Sequence, residues 1–134
     1  MKKLLCLILS TIFLFTLCSC NISNVTSTDF SQQVTIVKMP SPPKCKTSKK
    51  ISDVNKIINI LGEIKKTPIS NEEINGGWSI MVKLNIDGQD FNYTIGSVFT
   101  DSDGKQYYVQ NQDEIEDKIL DIYENIDAPE VDYP

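Results

Sequence analysis

The sequence predicts a small α+β domain in which an antiparallel sheet carries two helices on one of its faces, in the order β, α, β, β, β, α. Two observations predict this fold. Residues 77–109 alternate apolar and polar side chains with the period of a strand and contain two polar turns with glycine. On each side of this stretch, apolar residues recur at the spacing of an amphipathic helix. A chain of 134 residues has room for one such domain.

The first strand is predicted from Val34 to Met39, where β-branched residues are concentrated. Pro40 follows directly, and proline is confined to the borders and edges of sheets because it has no N–H to donate. We therefore expect an edge strand. A basic loop is predicted next, with four lysines: Lys44, Lys46, Lys49 and Lys50. Such a loop either is simply solvated or holds the domain against an anionic membrane surface, where each lysine contributes about 1 kcal/mol.

The first helix is predicted to begin at Asp53, with the Ser52 hydroxyl accepting a hydrogen bond from an N–H group of the first turn. Helical spacing places one set of residues on a buried side: Val54, Ile57, Ile58, Leu61 and Ile64. The solvated side carries Asn55, Lys56, Asn59 and Glu63. Thr67-Pro68 ends the pattern, and the polar stretch 68–77 is either a plain connection or a binding loop.

Three strands in succession are predicted from Gly77 to Val109. The first has a buried face formed by Trp78, Ile80, Val82, Leu84 and Ile86. Asp87-Gly88 then predicts a two-residue type I′ turn, because both residues tolerate positive φ. Phe91, Tyr93 and Ile95 mark the return strand, and Gln106 to Gln110 supplies the third after a polar turn at residues 100–104.

A second helix is predicted from Gln112 to Asn125, after a capping box formed by Asn111 and Glu114. Its apolar side consists of Ile115, Ile119, Ile122, Tyr123 and Ile126. Carboxylates load the rest of it: Asp113, Glu114, Glu116, Asp117, Asp121, Glu124 and the following Asp127. This acidic surface is either a solvated face or a site for a cationic partner. The acidic tail 128–134 is expected to be frayed.

The first nineteen residues are predicted to be a signal peptide. After the basic start Met1-Lys2-Lys3 comes an uncharged apolar run from Leu4 to Leu17, which is short for a spanning helix of roughly 20 residues. The residues Leu17-Cys18-Ser19-Cys20 resemble the lipobox of bacterial lipoproteins. The resemblance implies that Cys20 receives a diacylglyceryl group and that the chain is cut before it. The chain as a whole resembles the small lipoproteins of Gram-positive bacteria, a resemblance that assigns no activity.

Four segments follow from this interpretation: the signal peptide at 1–19, the lipidated Cys20 with a flexible tether to residue 32, the α+β domain at 33–127 and the acidic C-terminal tail at 128–134. The tether is rich in Ser, Thr and Asn and spans roughly 20 Å as a coil. The acyl chains then hold the domain on the extracytoplasmic face of the cell membrane. Loss of Lys2 and Lys3 changes the net charge from −5 to −7. A net negative chain is a poor candidate for nucleic-acid binding, so we predict no nucleic-acid partner.

No catalytic residue, cofactor or metal ligand is predicted. The chain has no His, so the commonest general base and zinc ligand is missing. Asp101-Ser102-Asp103-Gly104 has the composition of the start of a calcium loop, but it continues without the closing Glu and is interpreted as a hairpin turn. Cys45 is the only thiol expected in the mature chain. It is either an incidental exposed residue or, because its lysine neighbours lower the thiol pKa, a reactive or intermolecular thiol; we interpret it as the former.

The outer face of the sheet is expected to show Met81, Lys83, Asn85, Asn92 and Thr94 together with one of the two adjacent residues Tyr107 and Tyr108. The lipobox and the missing catalytic residues favour a non-enzymatic binding module of the cell envelope, anchored to the membrane through Cys20, with an envelope protein as its partner. Two alternatives stay open. One is a hydrolase of envelope substrates that uses carboxylates, and the other is an inhibitor-like protein that binds an external protein.

Overall fold

The computed structural model describes residues 31–39, 41–70 and 76–134. Within them the architecture is α+β, as predicted: an antiparallel sheet of eight strands carries two helices. The strands are β1 (Gln32–Lys38), β2 (Lys44–Ser48), β3 (Lys66–Pro68), β4 (Trp78–Ile86), β5 (Gln89–Gly96), β6 (Val98–Thr100), β7 (Gln106–Val109) and β8 (Val131–Asp132), and the helices are α1 (Ile51–Gly62) and α2 (Gln112–Asn125). The predicted signal peptide, Cys20 and nearly all of the predicted tether lie outside the described residues.

The strands follow the order β3-β7-β6-β5-β4-β1-β2-β8 across the sheet, and the predicted meander forms its middle. Asp87 and Gly88 close the hairpin between β4 and β5 with φ values of 53° and 81°, which confirms the predicted type I′ turn. The stretch after β5 divides into β6 and a second turn, in which Gly104 has a φ of 80°. The hairpin interpretation of residues 101–104 is therefore confirmed.

The first strand lies inside the sheet, so its predicted edge position is wrong. β1 pairs with β4 along its whole length, from Gln32 opposite Ile86 to Lys38 opposite Ile80, and it pairs with β2 on its other side. The prolines lie after the strand, in the connection to β2. Every amide group of β1 therefore remains free to pair with one of its two neighbours.

The segment predicted as a basic loop contains β2, and that prediction is wrong for residues 44–48. Cys45 and Ser48 are buried in the strand although its lysines suggest a solvated segment. The Lys46 ammonium extends past the strand and donates to the carbonyl oxygens of Glu124 at 3.4 Å and Ile126 at 3.3 Å. These carbonyls lie at the C-terminal end of α2, where backbone oxygens lack partners within the helix. Only Lys49 and Lys50 of the predicted cluster lie in a connection.

The C-terminal tail at 128–134 is not frayed as expected, because β8 pairs with the first two residues of β2. The Tyr133 N–H donates to the carbonyl oxygen of Pro43 at 2.9 Å. Its hydroxyl accepts a hydrogen bond from Lys83 and contacts the Met81 sulfur at 3.9 Å. The tail thus folds over the face of the sheet that the helices leave open.

Neither helix has the N-terminal cap that the sequence predicts. α1 begins at Ile51 and Ser52 makes no capping hydrogen bond, so that prediction is wrong. α2 spans the predicted residues, but Asn111 does not cap it and the capping box is also wrong. The Asn111 side chain instead accepts from the Lys65 N–H at 2.8 Å and donates to the carbonyl oxygen of Glu63 at 3.1 Å. It therefore connects the start of α2 to the end of α1.

Both helices pack on one face of the sheet, as predicted. The core between them consists of Val34, Ile36, Val54, Ile57, Ile60, Ile64, Ile80, Val82, Leu84, Ile95, Phe99, Ile115, Ile119, Ile122, Tyr123 and Ile126. The predicted apolar side of α2 is entirely buried. The predicted apolar side of α1 is only partly buried. Ile58 is 40% exposed, and Ile60, which was not predicted on that side, is buried. The helix is thus rotated so that part of its apolar stripe faces outward.

Candidate functional site: a groove between the two helices

A groove of about 660 Å³ separates the outer sides of α1 and α2, and we call it the interhelical groove. Buried Ile60 and Ile122 form its apolar floor. Its polar walls consist of Asp53, Lys56, Asn59, Glu63, Asp117, Lys118, Asp121 and Asn125. A concave surface of this size with an apolar floor and several polar groups is typical of small-ligand and peptide sites.

The Lys118 ammonium is already paired inside the groove. Its Nζ donates to Glu63, which directly follows α1, and, at 2.7 Å, to Glu114 one turn earlier in α2. The hydrogen bonds to Glu114 and Glu63 raise the pKa of Lys118, and the ammonium in turn lowers the pKa of the Glu114 carboxyl. This bridge fixes one end of the groove and leaves no positive charge there for an anionic ligand.

The remaining charges of the groove are mostly negative. Among the described residues that line the groove, Asp53, Asp117 and Asp121 face one further cation, Lys56. Asp53 accepts a hydrogen bond from the Ser48 hydroxyl at 2.6 Å. Within the described ranges, Asp117 and Lys56 have neither a hydrogen-bond nor an ion-pair partner. The groove therefore suits a ligand that brings positive charge.

The carboxylates predicted to form one acidic surface on α2 lie in different places and have different partners. Asp117 and Asp121 line the groove. Glu116 accepts a hydrogen bond from the Ser79 hydroxyl at 2.6 Å, and Glu124 pairs with a lysine of β1 at 3.1 Å. The sequence did not show that the solvated side of α1 faces these aspartates. The available signal was the helical spacing, which aligns Lys56, Asn59 and Glu63 on α1 and Asp117, Asp121 and Asn125 on α2.

A second concavity, which we call the apolar cleft, lies between α1 and the β4–β5 hairpin. It has a volume of about 200 Å³ and is lined by Ile58, Leu61, Leu84, Ile86, Phe91 and Tyr93. Ile86 lies opposite Gln32, the first residue of β1. The cleft is thus at the end of the sheet where the chain enters the domain, and we call this end the entry end.

An aromatic row continues from the cleft along the helix-bearing face. The rings of Tyr93 and Phe99 stack with centroids 6.1 Å apart, and Phe99 and Tyr107 follow at 6.0 Å. The Lys66 ammonium lies 4.4 Å from the centroid of the Tyr107 ring. The Tyr107 hydroxyl donates to Asp101 at 3.0 Å. These contacts hold the second hairpin turn against the sheet.

Asp101 organises that turn. Burial acts to raise the pKa of its carboxyl, but hydrogen bonds from the Lys105 N–H, the Tyr107 hydroxyl and the Asp103 N–H outweigh burial and lower it. A lowered pKa means that the charged form stabilises the fold. That contribution is fully present above the ordinary pKa of about 3.8 and disappears as the pH falls through the lower pKa of the folded chain.

We expect Asp101→Asn to lower the free energy of unfolding by about 1 kcal/mol at neutral pH, because a charged acceptor of three hydrogen bonds is lost. The difference from wild type should shrink as the pH falls below about 4. Urea unfolding of both proteins at several pH values measures it. Asp103→Asn is the control, since the Asp103 side chain accepts no hydrogen bond from described residues. A pH-independent difference at Asp101 contradicts the prediction.

The predicted outer face is only partly exposed. Tyr108 lies on this face and is 52% exposed, whereas Tyr107 lies on the helix-bearing face. Met81 and Lys83 are on the outer face as expected, but Tyr133 of the C-terminal tail contacts both. Asn92 is exposed beside them. Met81, Tyr107 and Tyr108 therefore do not form one surface.

Cys45 is buried, with 7% of its surface accessible, so its predicted exposure is wrong. It lies opposite Val37 on one side and opposite Val131 of β8 on the other. Burial raises the pKa of the thiol, and the Lys83 ammonium only partly counteracts it. The lysines on either side in sequence point to the other face of β2, because side chains alternate along a strand.

Deleting residues 131–134 is expected to make Cys45 react faster with a thiol reagent. The deletion removes β8 and Tyr133, which cover the face of the sheet that carries the Cys45 sulfur. Mass spectrometry of the peptide that contains Cys45, taken over a labelling time course, measures the rate. Cys45 in the intact chain unfolded in urea gives the upper limit. A rate equal to that of the folded wild type contradicts the assigned cover.

Among the described residues, no group of three or more Cys, Asp or Glu side chains is arranged to hold a metal ion. No helix in the same residues is long and apolar enough to cross a membrane. The predicted lipidation site, Cys20, lies outside them. Comparisons of the chain with protein-family models, with curated proteins and with solved structures returned no match.

Proposed function

We propose that the protein is a membrane-anchored extracytoplasmic lipoprotein whose folded domain is a non-enzymatic binding module of the cell envelope. The lipobox-like residues ending at Cys20 support the anchor. The interhelical groove is the binding site in this proposal. The observation that carries it is a preformed groove of about 660 Å³ with an apolar floor and an excess of carboxylates. The partner is an envelope protein that presents basic side chains to these carboxylates.

Among the described residues, the carboxyl groups whose pKa is clearly moved do not match a catalytic acid. A hydrolase that uses carboxylates needs one carboxyl group with a raised pKa to donate a proton. The pKa values of Asp101, Glu114 and Glu130 are all lowered by hydrogen bonds that stabilise the charged form. Such groups hold charge and accept hydrogen bonds. These three carboxyl groups therefore do not suit the role of a general acid, while the inhibitor-like alternative differs from the proposed module only in that the partner is external.

Photo-cross-linking on intact cells tests the proposal. A photoreactive amino acid at Asn59, an exposed residue of the groove wall, is expected to capture a discrete envelope protein. The same probe at Asn92, on the opposite face of the sheet, is the positional control and should not capture it. Capture of the same species from both positions contradicts a site in the groove.

A matched pair of charge variants makes the test specific. Asp117→Asn with Asp121→Asn removes two groove carboxylates, and we expect the captured species to be lost. Asp113→Asn with Asp127→Asn removes two exposed carboxylates outside the groove and should leave capture unchanged. Recovery of only lipid and cell-wall background with the probe at Asn59 refutes the binding module. Capture that is unchanged in both double variants refutes it as well.

A further inference from the structure

The entry end combines exposed apolar side chains with lysines that have no partner among the described residues. Ile51, the first residue of α1, is 60% exposed, and Ile58 beside the apolar cleft is 40% exposed. Side chains seven positions apart lie on the same side of a helix, so these two residues form one apolar ridge. The cleft continues this ridge onto the half-buried residues Ile86 and Phe91 of the hairpin.

The lysines of the connection before α1 lie at the same end. Ser48, the last residue of β2, pairs with Val34 near the start of β1, so Lys49 and Lys50 follow at the entry end. Both are exposed, and their ammonium groups have no partner among the described residues. The structure thus separates them from Lys44 and Lys46, which interact with Asp132 and with the end of α2.

Three carboxylates near the entry end outnumber these two cations, but among the described residues none of them forms an ion pair with Lys49 or Lys50. Asp53 is turned toward the interhelical groove and accepts the Ser48 hydroxyl hydrogen bond. Asp90 lies on the outer face, where it accepts a hydrogen bond from Asn85 at 2.6 Å. Asp87 remains in the hairpin turn. Lys49 and Lys50 therefore border the apolar ridge at the start of α1, whereas Asp53 faces the groove and Asp90 lies on the outer face of the sheet.

From this arrangement we infer that the apolar cleft and the Ile51–Ile58 ridge dock against an anionic phospholipid bilayer. The inference rests on the proposed anchor at Cys20. Eleven residues separate Cys20 from Gln32, so the acyl chains cannot lie more than about 40 Å from the entry end even with that segment fully extended. The domain end held nearest the bilayer is thus the end that carries apolar side chains and free lysines. Docking leaves the sides of the domain, including the mouth of the interhelical groove, available to a partner.

Tryptophan quenching on vesicles tests the docking. The full chain, purified from bacterial membranes, is reconstituted into vesicles that contain phosphatidylglycerol and phosphatidylcholine with brominated acyl chains. Ile58→Trp places a reporter at the entry end, and Tyr108→Trp places a matched reporter at the exposed residue of β7, at the other end. Native Trp78, the single tryptophan of the chain, gives the background; it lies about 26 Å along β4 from Ile86.

We expect the added Trp of Ile58→Trp to be quenched and that of Tyr108→Trp to remain as bright as in unbrominated vesicles. Lys49→Gln with Lys50→Gln should lower the ratio of docked to undocked protein about 30-fold. Each lysine near an anionic surface contributes about the same attraction, so each substitution lowers this ratio by a factor of roughly five to six. Lys44→Gln with Lys65→Gln removes the same charge from positions at the other end of the domain and should leave quenching unchanged. Replacing phosphatidylglycerol by phosphatidylcholine should act like the first pair.

Equal quenching of the two reporters, no quenching at the Ile58 position, or insensitivity to phosphatidylglycerol overturns the docking inference. Protection of the Ile58 reporter only when a second copy or another protein is present overturns it as well. A native gel and the urea midpoint of each variant show whether the fold is intact. The mass of the N-terminal peptide reports acylation of Cys20, and the groove cross-linking reports the partner. Failure of the anchor, of the groove site and of bilayer docking can therefore be told apart.

Discussion

Replacing Tyr123 by alanine is expected to lower the free energy of unfolding by about 3–5 kcal/mol, the range for removing a large aromatic side chain from a core. Tyr123 is fully buried in α2 and belongs to the main core. The Lys38 ammonium lies 4.3 Å from the centroid of its ring and the Lys46 ammonium 5.3 Å away. Alanine removes the packing and leaves both cations without the ring.

The Tyr123 hydroxyl contributes separately from the ring. It donates to Glu130 at 2.7 Å, and Glu130 also pairs with Lys38 at 3.2 Å. Burial, followed by this hydrogen bond to a carboxylate, raises the pKa of Tyr123, so the hydroxyl stays protonated as a donor. Tyr123→Phe keeps the ring and should cost only about 1 kcal/mol.

Urea unfolding of wild type, Tyr123→Phe and Tyr123→Ala measures the two contributions. We expect the alanine variant to be at least 2 kcal/mol less stable than the phenylalanine variant, because cavity formation outweighs one hydrogen bond. Equal losses in the two variants would mean that the hydroxyl, and not the ring, holds the C-terminal segment to α2. In that case the assigned core position of the ring is wrong.

Sequence periodicity predicted the elements whose burial is regular. The α2 stripe has one buried side over the whole helix, so its boundaries and its core residues agree with the structure. The alternation of β4 and the Asp87-Gly88 turn likewise determine the central hairpin. These features depend on contacts between each element and a single apolar layer, and such contacts leave a local pattern in the sequence.

The elements that sequence reasoning missed depend on distant partners. β2 is rich in lysine, yet it is a strand because its polar side chains find acceptors at the end of α2 and on β8. The two-residue β8 has no local signal, because it is stabilised by pairing with β2 and by the contacts of Tyr133. The internal position of β1 follows from having both β2 and β4 as neighbours. No property of the β1 sequence itself indicates that it has two neighbouring strands and not one.

The same distinction applies to the candidate site. Helical spacing predicted which residues of α1 and α2 are solvated, and the structure then places these two sides across one groove. A sequence lists the carboxylates of α2 but does not show that Glu116 accepts a hydrogen bond from Ser79, while Asp117 has no partner among the described residues. Those differences arise from the packing of α2 against β4 and α1.

Gly96→Ala is the substitution for which the structure predicts the second large effect. Gly96 is the last residue of β5 and lies opposite Trp78 at the irregular start of β4. A Cβ atom at this position would lie 2.3 Å from the Gly77 carbonyl oxygen and 2.9 Å from the Trp78 Cα. Both contacts are to backbone, which cannot rotate away as a flexible side chain can.

We expect Gly96→Ala to lower the free energy of unfolding by about 3 kcal/mol, the upper part of the range for overpacked sites, because the start of β4 must move away from β5. Gly62→Ala is the matched control. A Cβ at Gly62 meets no atom within 4 Å, and alanine at this last position of α1 should be neutral or raise the stability by up to about 1 kcal/mol. Urea midpoints of the two variants should therefore move in opposite directions from wild type, or only that of Gly96→Ala should move. Should Gly96→Ala unfold at the wild-type midpoint, the close approach of β4 to β5 at Gly77 cannot be required for the fold.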